Sequence, residues 1–161
     1  MLKSIKSTSS IISSLLGVGS QFEGQILFEG TLRIDGLVYG QIFCKNNELS
    51  TVIITEKAVV EADIVADIVI VSGMVSGNIK AIERLELHAP GRIEGMVYTS
   101  DFCIKDGALF QGECVMIRHL GEHDKNTIKK EGFYDIHYDN VIHSDRHTIH
   151  EFPDFSATST D

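Results

Sequence analysis

The chain has 161 residues, of which 43% are hydrophobic and 23% are charged, so it is long enough for one ordinary domain with a tail. Its 14 basic and 23 acidic residues give a formal net charge of -9, which opposes general binding to a phosphate backbone. The charge is uneven along the chain, because residues 1–21 carry +2, residues 22–120 carry -6 and residues 121–161 carry -5. Only the first segment would attract an anionic surface.

The N-terminus starts like a signal peptide but does not continue as one. Its apolar part is interrupted by Ser13 and Ser14, and no small-x-small cleavage site follows. No run approaches the roughly 18 apolar residues that a membrane-spanning helix needs. We therefore predict a cytoplasmic protein in which residues 1–19 form an N-terminal tail.

The start of this tail has the outline of a membrane-surface anchor, although the residues alone favour a disordered tail. If the segment is helical, its apolar side chains fall near one face, and two lysines lie beside them. These apolar side chains are Leu2, Ile5, Ile12, Leu15 and Leu16. The predicted anchor residues are Met1, Leu2, Lys3, Ile5 and Lys6.

The three cysteines, Cys44, Cys103 and Cys114, are an odd number without CxxC spacing, so they form neither a disulfide framework nor a zinc site. They predict a reducing compartment in which each cysteine serves as a small buried hydrophobe. The 14 glycines, two prolines and abundant Ile and Val between residues 26 and 97 predict short strands with tight corners.

An internal repeat is the most informative feature of the chain. A small residue followed two positions later by an apolar residue, or by Cys114 in the last unit, occurs six times, at intervals of 16, 22, 15, 18 and 17 residues. The small residues are Gly24, Gly40, Ala62, Gly77, Gly95 and Gly112. The residues two positions before them are all apolar, namely Phe22, Val38, Val60, Val75, Ile93 and Phe110. A further strand in the units is predicted from the alternating pairs Leu32/Ile34, Ile68/Ile70 or Val69/Val71, Leu85/Leu87 and Phe102/Ile104.

A unit of about 17 residues cannot bury its apolar face alone and must stack on copies of itself. Coils stacked at about 4.8 Å form a parallel β-solenoid with an aliphatic interior. A β-sandwich of hairpins is the competing fold. It is disfavoured because Asp35-Gly36 and Asp106-Gly107 are the only hairpin-type turn pairs between apolar runs.

Several motifs, together with the order of the units, give the chain a specific resemblance over roughly residues 18–118. They are Phe22-Glu23-Gly24, the run from Leu32 through Gly36 and Gly40 to Ile42, Val71 to Ile79, Gly91-Arg92-Ile93-Glu94-Gly95, and Gly107 to Cys114. With these motifs the chain resembles the bactofilin family. Two departures are Ala62, where a glycine is usual, and the long aromatic tail after Leu120.

The resemblance implies an all-β fold, a single-stranded right-handed parallel β-helix of about six coils over residues 20–118. It also implies coils that stack end to end into filaments without a nucleotide or other cofactor. The expected partners are further copies of the chain, the inner face of the cell membrane, and cell-wall enzymes or other client proteins whose position affects cell shape. Direct nucleic-acid binding is not expected.

The ends of the solenoid are the predicted polymer contacts. The apolar column is aliphatic in the middle of the chain but has Phe22 in the first unit and Phe110 in the last. From the residues alone, these aromatics could equally plug the ends, whereas the resemblance favours contacts between subunits. The predicted interface residues are Phe22, Phe110, Leu109 and Cys114.

Residues 119–161 form an acidic, His-rich C-terminal tail in this interpretation. His143, His147 and His150 have a spacing that could bind metal on a helix. The segment lacks a regular apolar pattern and paired cysteines, so no metal site is predicted. A solvated tail or a partner-binding peptide is the favoured interpretation. The aromatic residues available for such binding are Phe133, Tyr134, Tyr138, Phe152 and Phe155.

The alternative function is that of a left-handed β-helix acyltransferase, whose coils are three hexapeptides and whose base is a histidine. The irregular spacing of the units does not match a six-residue repeat. His88, the one histidine before His119, lies in a sequence that is typical of a turn. No GxxxxGK[ST] loop for a nucleotide occurs in the sequence. We therefore predict a scaffold and not an enzyme.

Overall fold

The computed structural model describes residues 12–45 and 49–117, which form eleven strands and no helix. Every pairing between these strands is parallel. The strands are β1 (Ile12–Leu16), β2 (Gln21–Phe28), β3 (Thr31–Ile34), β4 (Leu37–Cys44), β5 (Thr51–Ile54), β6 (Val59–Val71), β7 (Met74–Ser76), β8 (Ile79–Leu87), β9 (Arg92–Thr99), β10 (Phe102–Ile104) and β11 (Leu109–Met116). This is the predicted β-solenoid, with about six coils.

Each complete coil has three straight segments, and the stacked segments make three faces of the solenoid. The first face consists of β1, β3, β5, residues 68–71, residues 84–87 and β10. The second face runs from residues 21–23 of β2 to residues 109–111 of β11, and the third from residues 25–28 to residues 113–116. A corner at the repeated small residue separates the second face from the third.

The strand registers confirm the predicted repeat. Gly24 pairs with Gly40 and Gly40 with Ala62, while Gly95 pairs with Gly112. The apolar column is equally in register, from Phe22 through Val38, Val60, Val75 and Ile93 to Phe110. Positions that recur once per unit in the sequence are therefore neighbours in adjacent coils.

The interior of the solenoid is a stack of aliphatic side chains. Val38, Val60, Val75 and Ile93 have no exposed surface. On the first face, Val69 and Val71 point inward and are fully buried, while Ile70 between them is partly exposed. The structure thus selects Val69/Val71 over Ile68/Ile70 as the inward pair. Full burial of such a side chain contributes about 1.5–3 kcal/mol.

Two strands lie where the sequence had predicted none. β1 falls within the predicted tail 1–19 and pairs with β3, so the helical interpretation is wrong for residues 12–16. β5 belongs to the long third unit and completes the first face between β3 and β6. The turn that leads into β5 is held by the buried Asp67, whose Oδ2 accepts hydrogen bonds from the Ser50 backbone N–H and Oγ, both at 2.8 Å.

One corner of the first face carries a charged hydrogen-bond cluster. Thr55 Oγ1 donates a hydrogen bond of 2.5 Å to Asp35 Oδ1, and Arg33 Nε lies 3.1 Å from the same oxygen. The pKa of the Asp35 carboxyl lies below its ordinary value, chiefly because of the hydrogen bond from Thr55. Burial acts in the opposite direction and raises the pKa, while Arg33 lowers it further. The cluster therefore ties two successive coils together through an ionised carboxylate.

The corner glycines are required by both backbone angle and stacking distance. Gly95 has a φ of +141°, and a Cβ placed on it would clash with the carbonyl oxygen of Gly77 in the preceding coil. Gly24 has a similar φ of +131°, but a Cβ there would meet only the Phe22 ring, at 3.8 Å. Glycine is therefore required at Gly24 only by the backbone angle, whereas at Gly95 it is required by the backbone angle and by the close approach of the neighbouring coil.

We expect G95A to destabilise the fold much more than G24A. The positive φ costs an alanine about 1–3 kcal/mol at either position, whereas only G95A also forces two coils apart, which should bring its total above about 4 kcal/mol. Denaturant unfolding followed by circular dichroism measures both variants. Equal losses of unfolding free energy in the two variants would show that the short distance between coils is not what requires glycine at this corner.

We also expect T55V to flatten the acid dependence of stability. A depressed carboxyl pKa adds stability that is present above the ordinary value of about 4 and is lost as pH falls through the lower folded value. Removing the hydroxyl raises the folded pKa of Asp35 toward its ordinary value, so less stability is lost on acidification. Denaturant midpoints between about pH 7 and pH 2 for wild type, T55V and D35N measure the effect. An unchanged slope in T55V would contradict this role.

Candidate polymer contacts at the solenoid ends

The N-terminal end presents one incompletely buried core side chain on each face. Leu16 on the first face, Phe22 on the second and Ile26 on the third all pack against the core from one side. Their counterparts one coil further in, Ile34 and Val38 among them, are fully buried. Among the described residues, the first coil is therefore a core layer that is covered on one side only.

The C-terminal end repeats this arrangement. Phe102 on the first face and Phe110 on the second are partly buried against the core. Their rings meet edge to face, with centroids 5.2 Å apart and an interplanar angle of 87°. Cys114 continues the third face in register with Val97. The two rings thus pack on each other while each keeps some exposed surface.

The terminal strands also have open hydrogen-bonding edges within the described residues. There β2 pairs only with β4, and β11 pairs only with β9. Each pairing joins eight residues of one coil to eight of the next. The outer edge of such a strand offers the same kind of ladder to another chain. The ends of the solenoid can therefore extend the sheet by pairing.

Exposed apolar side chains concentrate at the same two ends. Of nine large hydrophobic residues that are exposed in the described part of the chain, seven belong to the terminal coils. They are Ile12, Leu15, Val18 and Leu27 at one end, and Ile104, Leu109 and Met116 at the other. In the described residues, exposed apolar surface is therefore concentrated at the two ends of the solenoid.

The four predicted interface residues all lie in the terminal coils but have different orientations. Phe22, Phe110 and Cys114 occupy inward rows, whereas Leu109 lies in an outward row beside Arg92 and is 49% exposed. Desolvation by neighbouring groups raises the pKa of the Cys114 thiol, so the thiol is neutral at pH 7. Leu109 therefore lies at the rim of the end surface.

Sequence reasoning missed three members of the end layers, Leu16, Ile26 and Phe102. Ile26, two positions after Gly24, and Phe102, in the pair Phe102/Ile104, both belong to the predicted repeat. Their positions in the first and last units would have identified them as residues of the end layers. Of the cysteines, Cys44 is buried as predicted, while Cys103 is intermediate and Cys114 is exposed. None of the three forms a disulfide.

The predicted anchor residues Met1, Leu2, Lys3, Ile5 and Lys6 lie outside the described residues, as do the histidines and aromatic residues of the tail. Within residues 12–45 and 49–117, no helix is capable of crossing a bilayer. His88, the residue on which the enzyme alternative depended, lies at a corner of the first face. Its Nε2 is 2.9 Å from Glu86 Oε2, and its side chain is 38% exposed.

Comparison with known proteins agrees with this arrangement. A family model described as "Bactofilin: Polymer-forming cytoskeletal" matches residues 14–115. The chain is 31% identical to bactofilin BacP of Myxococcus xanthus over 114 residues, which are 71% of this chain and 46% of BacP, so the match spans less than half of that relative. It is 32% identical to bactofilin BacO of the same organism over 109 residues, which are 68% of this chain and 83% of BacO. No solved structure matches the chain significantly. The chain therefore belongs to the bactofilin family of polymer-forming cytoskeletal proteins.

Proposed function

We propose that the protein polymerises through the two ends of its solenoid, without a nucleotide, into a scaffold at the inner face of the cell membrane. The observation that carries the proposal is the pair of open ends, each with an uncovered core layer and an unpaired strand edge in the described residues. The scaffold positions cell-wall enzymes or other client proteins and so affects cell shape.

End-to-end contact reproduces the contact that already holds the coils together. Inside the chain, one coil covers the core layer of the next and pairs with it through parallel strands. A second subunit at either end supplies the same two interactions, apolar burial and backbone hydrogen bonds. No chemical energy source is needed, because both interactions are available as soon as two ends meet.

The tails supply attachment in this proposal. Lys3 and Lys6 give residues 1–21 a charge of +2, while the rest of the chain is acidic. A short basic segment with apolar neighbours binds anionic lipid weakly by itself. In a filament many copies bind together, so weak anchors add to a stable attachment. The aromatic residues of the acidic C-terminal tail serve as recognition points for clients.

An acyltransferase is not favoured as an alternative. Its candidate base, His88, is paired with Glu86 on the outer surface. The Glu86 pKa is lowered chiefly by this hydrogen bond. Membership of a polymer-forming family gives the scaffold its independent support.

We expect F110R to leave a folded protein that forms only short oligomers or monomers. Phe110 packs beside Phe102 in the last core layer, and an arginine there would have to lose its hydration without a partner when a second end arrives. Negative-stain electron microscopy without nucleotide gives filament length, and circular dichroism confirms the fold. M74R, which changes an exposed residue of a middle coil, serves as the matched control. Filaments of F110R as long as those of wild type would refute a contact at Phe110.

Deletion of residues 2–6 should release filaments from anionic vesicles while leaving the filaments intact. The deletion removes both lysines and the apolar Leu2 and Ile5 of the predicted anchor. Flotation with vesicles that contain about 30% anionic lipid measures binding, which should also weaken with salt. A K45A/K57A variant is the control, because it removes two positive charges from the solenoid body instead. Undiminished flotation of the deletion variant would sink the anchor hypothesis.

A further inference from the structure

The outer surface of the first face carries an ordered row of side chains along the solenoid axis. The strand registers place one residue of this row in each coil, in the order Leu15, Arg33, Ile53, Ile70, Glu86 and Cys103. From the second coil to the fifth these side chains point outward, because the residues on both sides of each are buried in the core. A second row, Thr31, Thr51, Ile68 and Arg84, lies beside it on the same face.

The central part of this row is complementary to the same row of a second copy whose solenoid axis runs in the opposite direction. Its four central members are a cation, two isoleucines and an anion, flanked by Leu15 at one end and Cys103 at the other. If a second copy faces the first with its solenoid axis reversed, Arg33 lies opposite the partner's Glu86, and Ile53 lies opposite the partner's Ile70. Each of these pairs occurs twice, as expected for a contact with twofold symmetry.

The geometry of stacked strands allows this match. Coils about 4.8 Å apart place Arg33 and Glu86 about 14 Å from each other along the axis, with the isoleucines between them. A twofold axis parallel to the strands reverses the solenoid direction but keeps each residue at its position along the strand. Two sheets in face-to-face contact are about 10 Å apart, which lets the opposed side chains meet.

Contacts within the subunit hold the two charged groups in place. Arg33 Nε lies 3.1 Å from Asp35 Oδ1, and the terminal nitrogens of a guanidinium provide further donors. Glu86 lies 3.4 Å from Arg84 and 2.9 Å from His88. The side chains of Arg33 and Glu86 remain 43% and 24% exposed. Both charges are therefore positioned at the surface and accessible to a partner.

The outward rows of the other two faces lack this symmetry. The second face carries Gln21, Leu37, Val59, Met74, Arg92 and Leu109 in order, so reversal sets Arg92 opposite Leu37. On the third face the corresponding row is Leu27, Phe43, Val65, Lys80, Tyr98 and Val115, which has no anion and in which Val65 and Lys80 are buried. Self-complementary charge thus distinguishes the row from Arg33 to Glu86 from these two rows.

We propose that the first face, through Arg33, Ile53, Ile70 and Glu86, forms a lateral contact between antiparallel copies of this chain, which joins neighbouring filaments side by side. The inference rests on the proposed polymer and adds a second, sideways interface to it. The partner is another copy of the chain, because the row matches its own reverse in both charge and shape.

The size of the face explains why this contact acts between filaments and not between single subunits. Six coils of a four-residue strand give a footprint of about 29 by 13 Å, or roughly 400 Å² per partner. This is well below the roughly 800 Å² per partner of a stable complex. Repetition along two filaments multiplies the contacts and converts a weak interface into stable pairing.

Charge reversal tests the contact and its orientation. R33E sets two carboxylates opposite each other in the antiparallel contact, and E86R sets two guanidinium groups opposite each other. We expect each single variant to form filaments, with about tenfold or more fewer of them paired than in wild type at low salt. The double variant R33E/E86R, and a mixture of filaments of the two single variants, should pair again. Electron microscopy counts paired and single filaments, while circular dichroism confirms folding.

A variant of the apolar centre provides an independent test. I70K should give single filaments, whereas M74K, the same kind of change on the second face, should leave pairing unchanged. Single filaments of the wild type, paired filaments of I70K, or a double reversal without recovery would each overturn the proposed contact. A wild-type sample without any filaments would contradict the proposed polymer, and the lateral contact with it.

Discussion

Stacking of one coil on the next is the interaction on which the whole structure depends. Each coil supplies a layer of aliphatic side chains and a row of backbone hydrogen-bonding groups that only another coil can cover. The eight residue pairs between β2 and β4 and the eight between β9 and β11 show the same contact at the two ends of the chain. In the described part of the chain each outermost coil keeps one such layer open, and the polymer proposed above grows through the same kind of surface that folds the chain.

This dependence explains the contrast between the middle coils and the terminal ones. In the middle, small β-branched residues such as Val60 and Val75 are fully buried between two neighbours. At the ends the same column holds Phe22 and Phe110, which keep exposed surface. The lateral contact proposed above uses other residues, because the outward row of the first face does not belong to the core layers that stacking buries. The chain can therefore use different residues for lengthening and for lateral contacts.

The periodic part of the sequence predicted the fold well, because register and sequence spacing are the same quantity in a solenoid. Gly24, Gly40 and Ala62 were aligned by spacing and are aligned in space. β1 was not predicted, because its serines obscure the alternation and a helical pattern fitted as well. β5 was hidden in the long third unit, where the turn anchored by Ser50 and Asp67 interrupts the spacing. The end layer was only partly predicted, since exposure of Leu16 or Phe102 depends on what stacks above it.

The central claim is that filaments grow along the direction in which the coils stack. Cryo-electron microscopy of filaments assembled without nucleotide tests it most directly, through the Fourier transform of the filament images. End-to-end stacking predicts a strong meridional reflection at about 4.8 Å and an axial repeat of about 29 Å or twice that value. A 4.8 Å reflection on the equator, perpendicular to the filament axis, would show that the solenoids lie across the filament and would contradict the account.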